Sequence, residues 1–370
     1  DVSAAEKGGY PHFMLKEINE EPAAITATVS PRVENGLPEL RIPELTDEKL
    51  RSIGTVHLVG CGTAMHAGMV GKTAIETLAR VPAEVDIASE FRYRDPILKP
   101  EDLVIIISQS GETSDTLAAL KLAKSRGVPV LAIVNVVGSS IARAADYVMY
   151  TYAGPEIAVA STKSFIGQVV SLTLLSLLLA QVKGKLTTGQ VRMLFRELGD
   201  TAEQIQWIFD TQAEAVHEAA LACKDAHSAL FVGRGMGAAI AHEGALKLKE
   251  ISYLHAEAYA AGEMKHGPIA LIDPGFPVIA VTTKSPTYDK TVSNLKECEA
   301  RGAKIIVVAT EGDEDIKHIA DHVIYIPPVR DAFCPITATV PLQLLAREVA
   351  IMRDCDVDQP RNLAKSVTVE

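Results

Sequence analysis

Apolar runs that stop at glycine or at hydroxyl side chains, each followed by a helical pattern, recur along this chain. Ile105-Ile106-Ile107 is fully apolar and ends in Ser108-Gln109-Ser110-Gly111-Glu112-Thr113-Ser114-Asp115-Thr116, after which Leu117–Lys124 has helical periodicity. His57-Leu58-Val59 runs into Gly60-Cys61-Gly62 and a helix over Ala67–Leu78. Leu230-Phe231-Val232 runs into Gly233-Arg234-Gly235 and a helix over Ala238–Ile251. Short apolar runs without alternation predict strands buried on both faces, as in parallel sheets. The longest such stretch, Val169–Ala180, carries Ser171, Thr173 and Ser176. It is too short to span a bilayer and reads as a buried helix.

The pattern occurs twice. The glycine turns at Gly60 and Gly233 lie 173 residues apart, and the turns Arg126-Gly127 and Arg301-Gly302 lie 175 apart. Asp102–Ser110 matches Phe276–Ser285, and Val130–Val134 matches Ile305–Val308. Strands alternating with helices in two copies predict an α/β protein of two doubly wound parallel-sheet domains related by an internal repeat. The expected divisions are a leading segment 1–50 with one helix near His12–Ile18, a first domain 51–184, a helical connector 185–226, a second domain 227–350 and a tail 351–370.

Composition supports this and excludes other classes. The chain of 370 residues is 48% hydrophobic and 5% aromatic, which suits sheets covered by helices. Its net charge of −11, without a basic stripe, makes nucleic acid a poor partner. The five cysteines are scattered and form no CxxC pair. That usage fits a reducing cytoplasm rather than a disulfide framework or a zinc site.

The first candidate chemistry is the loop after Ile107. A strand feeding a helix N-terminus gathers backbone N–H groups, a positive dipole end and hydroxyl donors at one point, which suits a phosphate. An ordinary turn with a Ser or Thr cap is the plainer reading, but a cap needs one hydroxyl and this loop has Ser108, Ser110, Thr113, Ser114 and Thr116. The second copy reads Thr283-Lys284-Ser285-Pro286-Thr287-Tyr288, with proline where the first has Gly111. Proline fixes φ and removes a donor, so one phosphate site per chain is expected, on the first domain. In the second domain Glu243, Lys247 and Glu250 share one face of a helix. They form either a solvated ion-pair ladder or an acid–base set able to move protons between adjacent carbons. His266, before Gly267-Pro268 in a polar loop over Ala256–Pro268, is a candidate acid–base group. In the tail Asp356–Glu370, Lys365 is either a solvated lysine or, desolvated over a cleft, a Schiff-base nucleophile toward a ketose.

Taken together, Cys61-Gly62-Thr63, Ser89–Arg94, Ser108–Thr116, Val159-Ala160-Ser161-Thr162-Lys163, Glu243–Glu250, His255–Pro268 and Asp356–Glu370 make the chain resemble the isomerase half of the glucosamine-6-phosphate synthase family, in the double sugar-isomerase (SIS), flavodoxin-like group. The opening Glu6–Met14 resembles that family's junction after its glutaminase domain, which this chain lacks. The resemblance implies that Ser108, Gln109, Ser110 and Thr113 hold the phosphate of fructose 6-phosphate. It implies that Thr63, Val159, Ser161 and Ala364 line the sugar. His266, offered by the neighbouring subunit of a homodimer, would assist ring opening, and Lys365 would form the imine at C2. Glu250, assisted by Lys247, would move the proton between C1 and C2 to give glucosamine 6-phosphate. Neither metal nor organic cofactor is implied, and the implied partners are the glutaminase domain of the full-length enzyme and a second copy, with no nucleic acid or membrane. Ala64 stands where the family often has serine, which puts one sugar contact in question. The alternatives are a sugar-phosphate-binding SIS regulator and a fructosamine-phosphate deglycase or other sugar-phosphate isomerase.

Overall fold

The computed structural model describes residues 6–369, so the first five residues of the leading segment and the terminal Glu370 lie outside the described residues. The leading segment is more regular than expected. It forms α1 (Phe13–Asn19), α2 (Glu21–Val29), a hairpin of β1 (Val33–Glu34) and β2 (Leu37–Pro38), and α3 (Asp47–Ser52). Pro22 lies in the first turn of α2, where its missing N–H costs no helical bond.

The first sheet follows: β3 (Val56–Gly60), α4 (Thr63–Ala74), β4 (Ala83–Ile87), α5 (Ala88–Phe91), β5 (Leu103–Ser108), α6 (Ser114–Ser125), β6 (Val130–Val134), α7 (Ser140–Ala144), β7 (Tyr147–Tyr150) and α8 (Lys163–Val182). All pairings are parallel, in the order β4-β3-β5-β6-β7, with Val59 opposite Ile106 and Ile107 opposite Ile133. Every residue of β3, β5 and β6 is buried, as their largely apolar sequences require, and in β3 the buried His57 Nε2 lies 3.1 Å from Asp102 Oδ2. Val59, Phe91, Ile106, Leu120, Val130 and Ile141 form the core on one face. The helix expected at Val169–Ala180 runs for 20 residues, long enough to span a bilayer. Its burial rather than its length therefore assigns it to the core: even Ser171, Thr173 and Ser176 are 0% exposed, each hydroxyl donating to a carbonyl one turn back.

After α9 (Thr188–Thr211) and α10 (Ala213–Cys223) comes the second sheet: β8 (Ser228–Gly233), α11 (Met236–Ser252), β9 (His255–Ala260), β10 (Pro277–Thr282), α12 (Tyr288–Glu299), β11 (Lys304–Thr310), β12 (His322–Ile326) and α13 (Cys334–Met352). Its order, β12-β11-β10-β8-β9, is all parallel and has the connectivity of the first. The repeat extends to single dihedrals. Gly62 (φ 55°, ψ −125°) and Gly235 (φ 57°, ψ −126°) start α4 and α11 in a conformation that side chains avoid. The polar loop expected over Ala256–Pro268 is partly wrong, since Ala256–Ala260 belongs to the edge strand β9. The alternation His-Ala-Glu-Ala-Tyr-Ala has the period of a strand, with alanine on alternate positions. Ala261–His266 is then a 3-10 turn.

The chain divides into two compact units that are not contiguous in sequence. The first-sheet unit comprises Ala23–Glu156, Lys163–Asp200 and Ala364–Glu370. The second-sheet unit comprises Asp1–Pro22, Ile157–Thr162 and Thr201–Leu363. In each sheet the strand order reverses between the first and third strands, β3 and β5 or β8 and β10, and the crevice beyond their carboxyl ends is where such folds bind ligands.

Candidate active site

In the first-sheet unit the hydroxyl-rich loop leaves the carboxyl end of β5 at that reversal. Ser108, buried at 3% exposure, accepts the Gly111 N–H at 3.0 Å, and its hydroxyl lies 3.2 Å from that of Thr113. Ser110 Oγ accepts the Glu112 N–H at 3.1 Å. The Glu112 carboxylate accepts from Ser140 N at 2.8 Å, and these bonds to Ser140 hold it below the usual carboxylate range. The capping reading fails: Thr113 stands at the N-cap of α6 but its side chain makes no cap bond. The first turn of α6 thus takes no cap from Thr113, and its first N–H, that of Ser114, donates to Val367 O instead. Cys61, on the neighbouring turn, has its thiol pushed up by burial and lies 3.6 Å from the Thr116 hydroxyl. Thr63 opens α4 two residues later.

Gly111 makes this loop possible. Its φ is +67°, and a Cβ added there would fall 2.0 Å from Ser139 Oγ. Gly111→Ala is therefore expected to cost about 1–3 kcal/mol in stability. It should also weaken inorganic phosphate binding more than tenfold by turning the loop's N–H groups aside. Calorimetric titration with phosphate checks this, and unchanged affinity would count against an anion site on this loop.

The C-terminal tail is bonded to the same loop. Ser366 Oγ donates to Ser110 Oγ at 3.2 Å, and Ser114 N, the first N–H of α6, donates to Val367 O at 3.1 Å. Between them and the exposed Ala364 lies Lys365, whose Nζ is 2.5 Å from Glu156 Oε1. The Glu156 side chain is 0% exposed and that of Lys365 23%. Ser108, Gln109, Ser110, Thr113, Thr63, Ala364 and Lys365 therefore all belong to one unit.

The second-sheet unit holds Glu250, Lys247, His266, Val159 and Ser161. The solvated-ladder reading of α11 is excluded. Lys247 and Glu243 side chains are 0% exposed, and Lys247 Nζ lies 3.3 Å from Glu243 Oε1 and 2.6 Å from Glu250 Oε2. Burial alone would push the Lys247 ammonium down, but the two carboxylates outweigh it and hold the group well above the usual lysine range. Glu250 is the member with access to solvent, at 20%. His266 is exposed at the end of its 3-10 turn, ahead of Gly267 at φ 139°. Val159 N donates to Asp358 O at 2.9 Å, while the Asp358 carboxylate accepts from Phe13 N and Met14 N at the start of α1.

The second copy of the loop is filled by its own side chains. Tyr288 OH donates to Asp313 Oδ2 at 2.5 Å, and Lys284 Nζ stands 3.6 Å from the Tyr288 ring centre and 3.4 Å from Asp313. Residues missed by sequence reasoning are Glu156, Ser139 and Ser366. Glu156 follows Gly154-Pro155 in no periodic pattern, so nothing local marked it, whereas Glu243 was grouped with Lys247 and Glu250 by its helical spacing.

A sequence model of the SIS domain matches residues 49–178 and 223–353, one copy on each sheet. The chain belongs to the SIS domain family. Over its whole length it is similar to glutamine–fructose-6-phosphate aminotransferase [isomerizing] of Clostridium acetobutylicum, at 52% identity over 371 residues, and of Thermus thermophilus, at 49%. It spans 61% of the length of each. Among solved structures it is similar to the C-terminal domain of glucosamine-fructose-6-phosphate aminotransferase from Francisella tularensis, at 40% identity and a TM-score of 0.91, covering 96% of this chain and 99% of that one.

Proposed function

We propose that this chain is a ketose–aldose isomerase that aminates its substrate, converting fructose 6-phosphate and ammonia to glucosamine 6-phosphate. The observation that supports the reading is the bonding of Ser366 and Val367, the residues next to Lys365, to the hydroxyl loop within one unit. Similarity to the aminotransferase over the whole chain supports the substrate.

In this reading Ser108, Gln109, Ser110 and Thr113 bind the phosphate with the N-terminus of α6, where hydroxyls, N–H groups and the dipole need no net positive charge. Thr63, Val159, Ser161 and Ala364 contact the sugar hydroxyls. His266 transfers the proton that opens the ring, and a second copy in a homodimer supplies it. Lys365, as the amine, adds to C2 and water leaves, giving an imine that ammonia then displaces. Glu250 takes a proton from C1 and returns it to C2, which turns the ketose imine into the 2-amino aldose. Lys247, kept as an ammonium by Glu243, fixes Glu250 and balances its charge. In the full-length enzyme a glutaminase domain in the cytoplasm supplies the ammonia. Assayed by themselves, these 370 residues use free ammonium, or isomerise fructose 6-phosphate to glucose 6-phosphate.

Glu250→Gln tests the reading. It keeps a hydrogen-bond partner for Lys247 but loses the base, so kcat for either reaction is expected to fall about 10²–10⁴-fold with fructose 6-phosphate affinity unchanged. Coupled assays for both products check it. A parent chain that binds the ketose phosphate and forms neither product would be a sensor, and the proposal would fall.

A further inference from the structure

Lys365 can attack a carbonyl only as the neutral amine, and something must take its proton. Glu156 is in direct contact with Lys365. The carboxylate is fully buried, with Oε1 2.5 Å from Lys365 Nζ and Oε2 accepting the N–H of Ser164 at 2.9 Å. Ser164 is the second residue of α8, so the acid is anchored to the positive end of a 20-residue core helix. Glu156 is thereby held in one rotamer, and it holds the amine in turn. A lysine on a tail segment has four side-chain torsions to fix, and this contact fixes them before any sugar arrives. A surface ion pair would contribute little, but here the carboxylate has no water to share and the lysine side chain is 23% exposed. The amine is anchored on its buried side and reachable on the other.

We infer that Glu156 positions Lys365 and is the proton acceptor that frees its amine for attack on C2. This rests on the imine reading above. In the resting state the pair is ammonium and carboxylate. On attack, the Nζ lone pair forms the N–C2 bond while a proton passes from Nζ to Glu156 Oε1, and the carbonyl electron pair moves onto its oxygen. That oxygen then takes a second proton from the nitrogen, now bonded to C2, to give the neutral carbinolamine. Glu156 then returns its proton to the C2 hydroxyl, which leaves as water as the C=N bond forms. Atoms and charge balance, and Glu156 ends as the carboxylate beside an iminium, the same ion pair it began with.

The test is the rate at which borohydride traps fructose 6-phosphate on Lys365, read by mass spectrometry at saturating and limiting sugar. In Glu156→Gln the maximal trapping rate is expected to fall about 100-fold, the scale of a lost general base. The half-saturating sugar concentration should stay within about threefold, because the phosphate loop is untouched. Glu156→Asp keeps the carboxylate at a longer reach and is expected to recover a tenfold part of the loss. A role confined to structure would instead affect both variants alike, or raise the half-saturation value along with any fall in rate. Trapping in Glu156→Gln as fast as in the parent, or equal losses in both variants, overturns the assignment. If the parent chain itself gives no Lys365 adduct, the imine reading fails and this inference fails with it; parent trapping with an indifferent Glu156→Gln rejects the role of Glu156 alone.

Discussion

Lys365→Arg is expected to leave fructose 6-phosphate bound and to lower amination by at least about 10³-fold. Arginine keeps the positive charge opposite Glu156, so the buried carboxylate retains a partner and the tail should keep its bonds to Ser110 and Ser114. Guanidinium has no lone pair to offer at neutral pH and forms no imine. Lys365→Ala removes the nucleophile as completely but leaves the Glu156 carboxylate with the Ser164 N–H, which adds a desolvation cost and a lower melting temperature. Comparing the two separates chemistry from folding. Phosphate affinity within threefold of the parent in Lys365→Arg, with glucosamine 6-phosphate formation gone, is the expected pair of results. Amination surviving at a tenth of the parent rate in either variant would show that ammonia adds to the free ketone and that Lys365 serves another end. Isomerisation is the internal control, because direct enolisation by Glu250 needs no imine and can survive where amination does not.

The fold was legible because its strands are buried on both sides. Ile105–Ile107 and Val130–Val134 cannot be read as amphipathic, and their glycine stops are demanded by backbone conformation, as Gly111 at φ +67° and the twin turns at Gly62 and Gly235 show. The repeat was visible for the same reason, since both copies need the same turns. Elements whose stabilisation comes from outside the segment were harder to read. The edge strand β9 is made of alanines alternating with polar residues, and the leading helices are fixed by distant groups. The Asp358 carboxylate that caps α1 lies 344 residues from Met14. Candidate residues that carry a spacing signal, such as Glu243-Lys247-Glu250, could be grouped from the sequence, although only burial separates a buried ion-pair cluster from a surface ladder. Glu156 could not. Its partner is 209 residues away, and a lone acid after Gly154-Pro155 looks like any loop carboxylate.

Removing the cation at the centre of α11 is the change expected to cost most in stability. Lys247→Met nearly preserves volume but leaves Glu243 buried at 0% exposure without its ammonium. Breaking a buried pair from one side costs about 3–5 kcal/mol, against less than about 1.5 for a change of apolar shape. The melting temperature should drop on the order of 10 °C. Pairing it with Glu243→Gln removes the stranded charge and should recover a large part of that loss, since the two sites share one interaction. The sign with pH follows from the direction of the shift. Lys247 is held above its ordinary range by the carboxylates, so its contribution is complete at all pH values below that range and is lost only as strong alkali takes its proton. In Lys247→Met the penalty instead shrinks in acid, because the isolated Glu243 carboxylate then takes up a proton and ceases to be a buried charge. Denaturant unfolding of parent and variant from pH 5 to pH 8 should therefore show a gap that widens as pH rises. A gap that stays constant across that range, or that Glu243→Gln deepens, would mean that packing of the lysine stem, and not its charge between two acids, holds this helix in place.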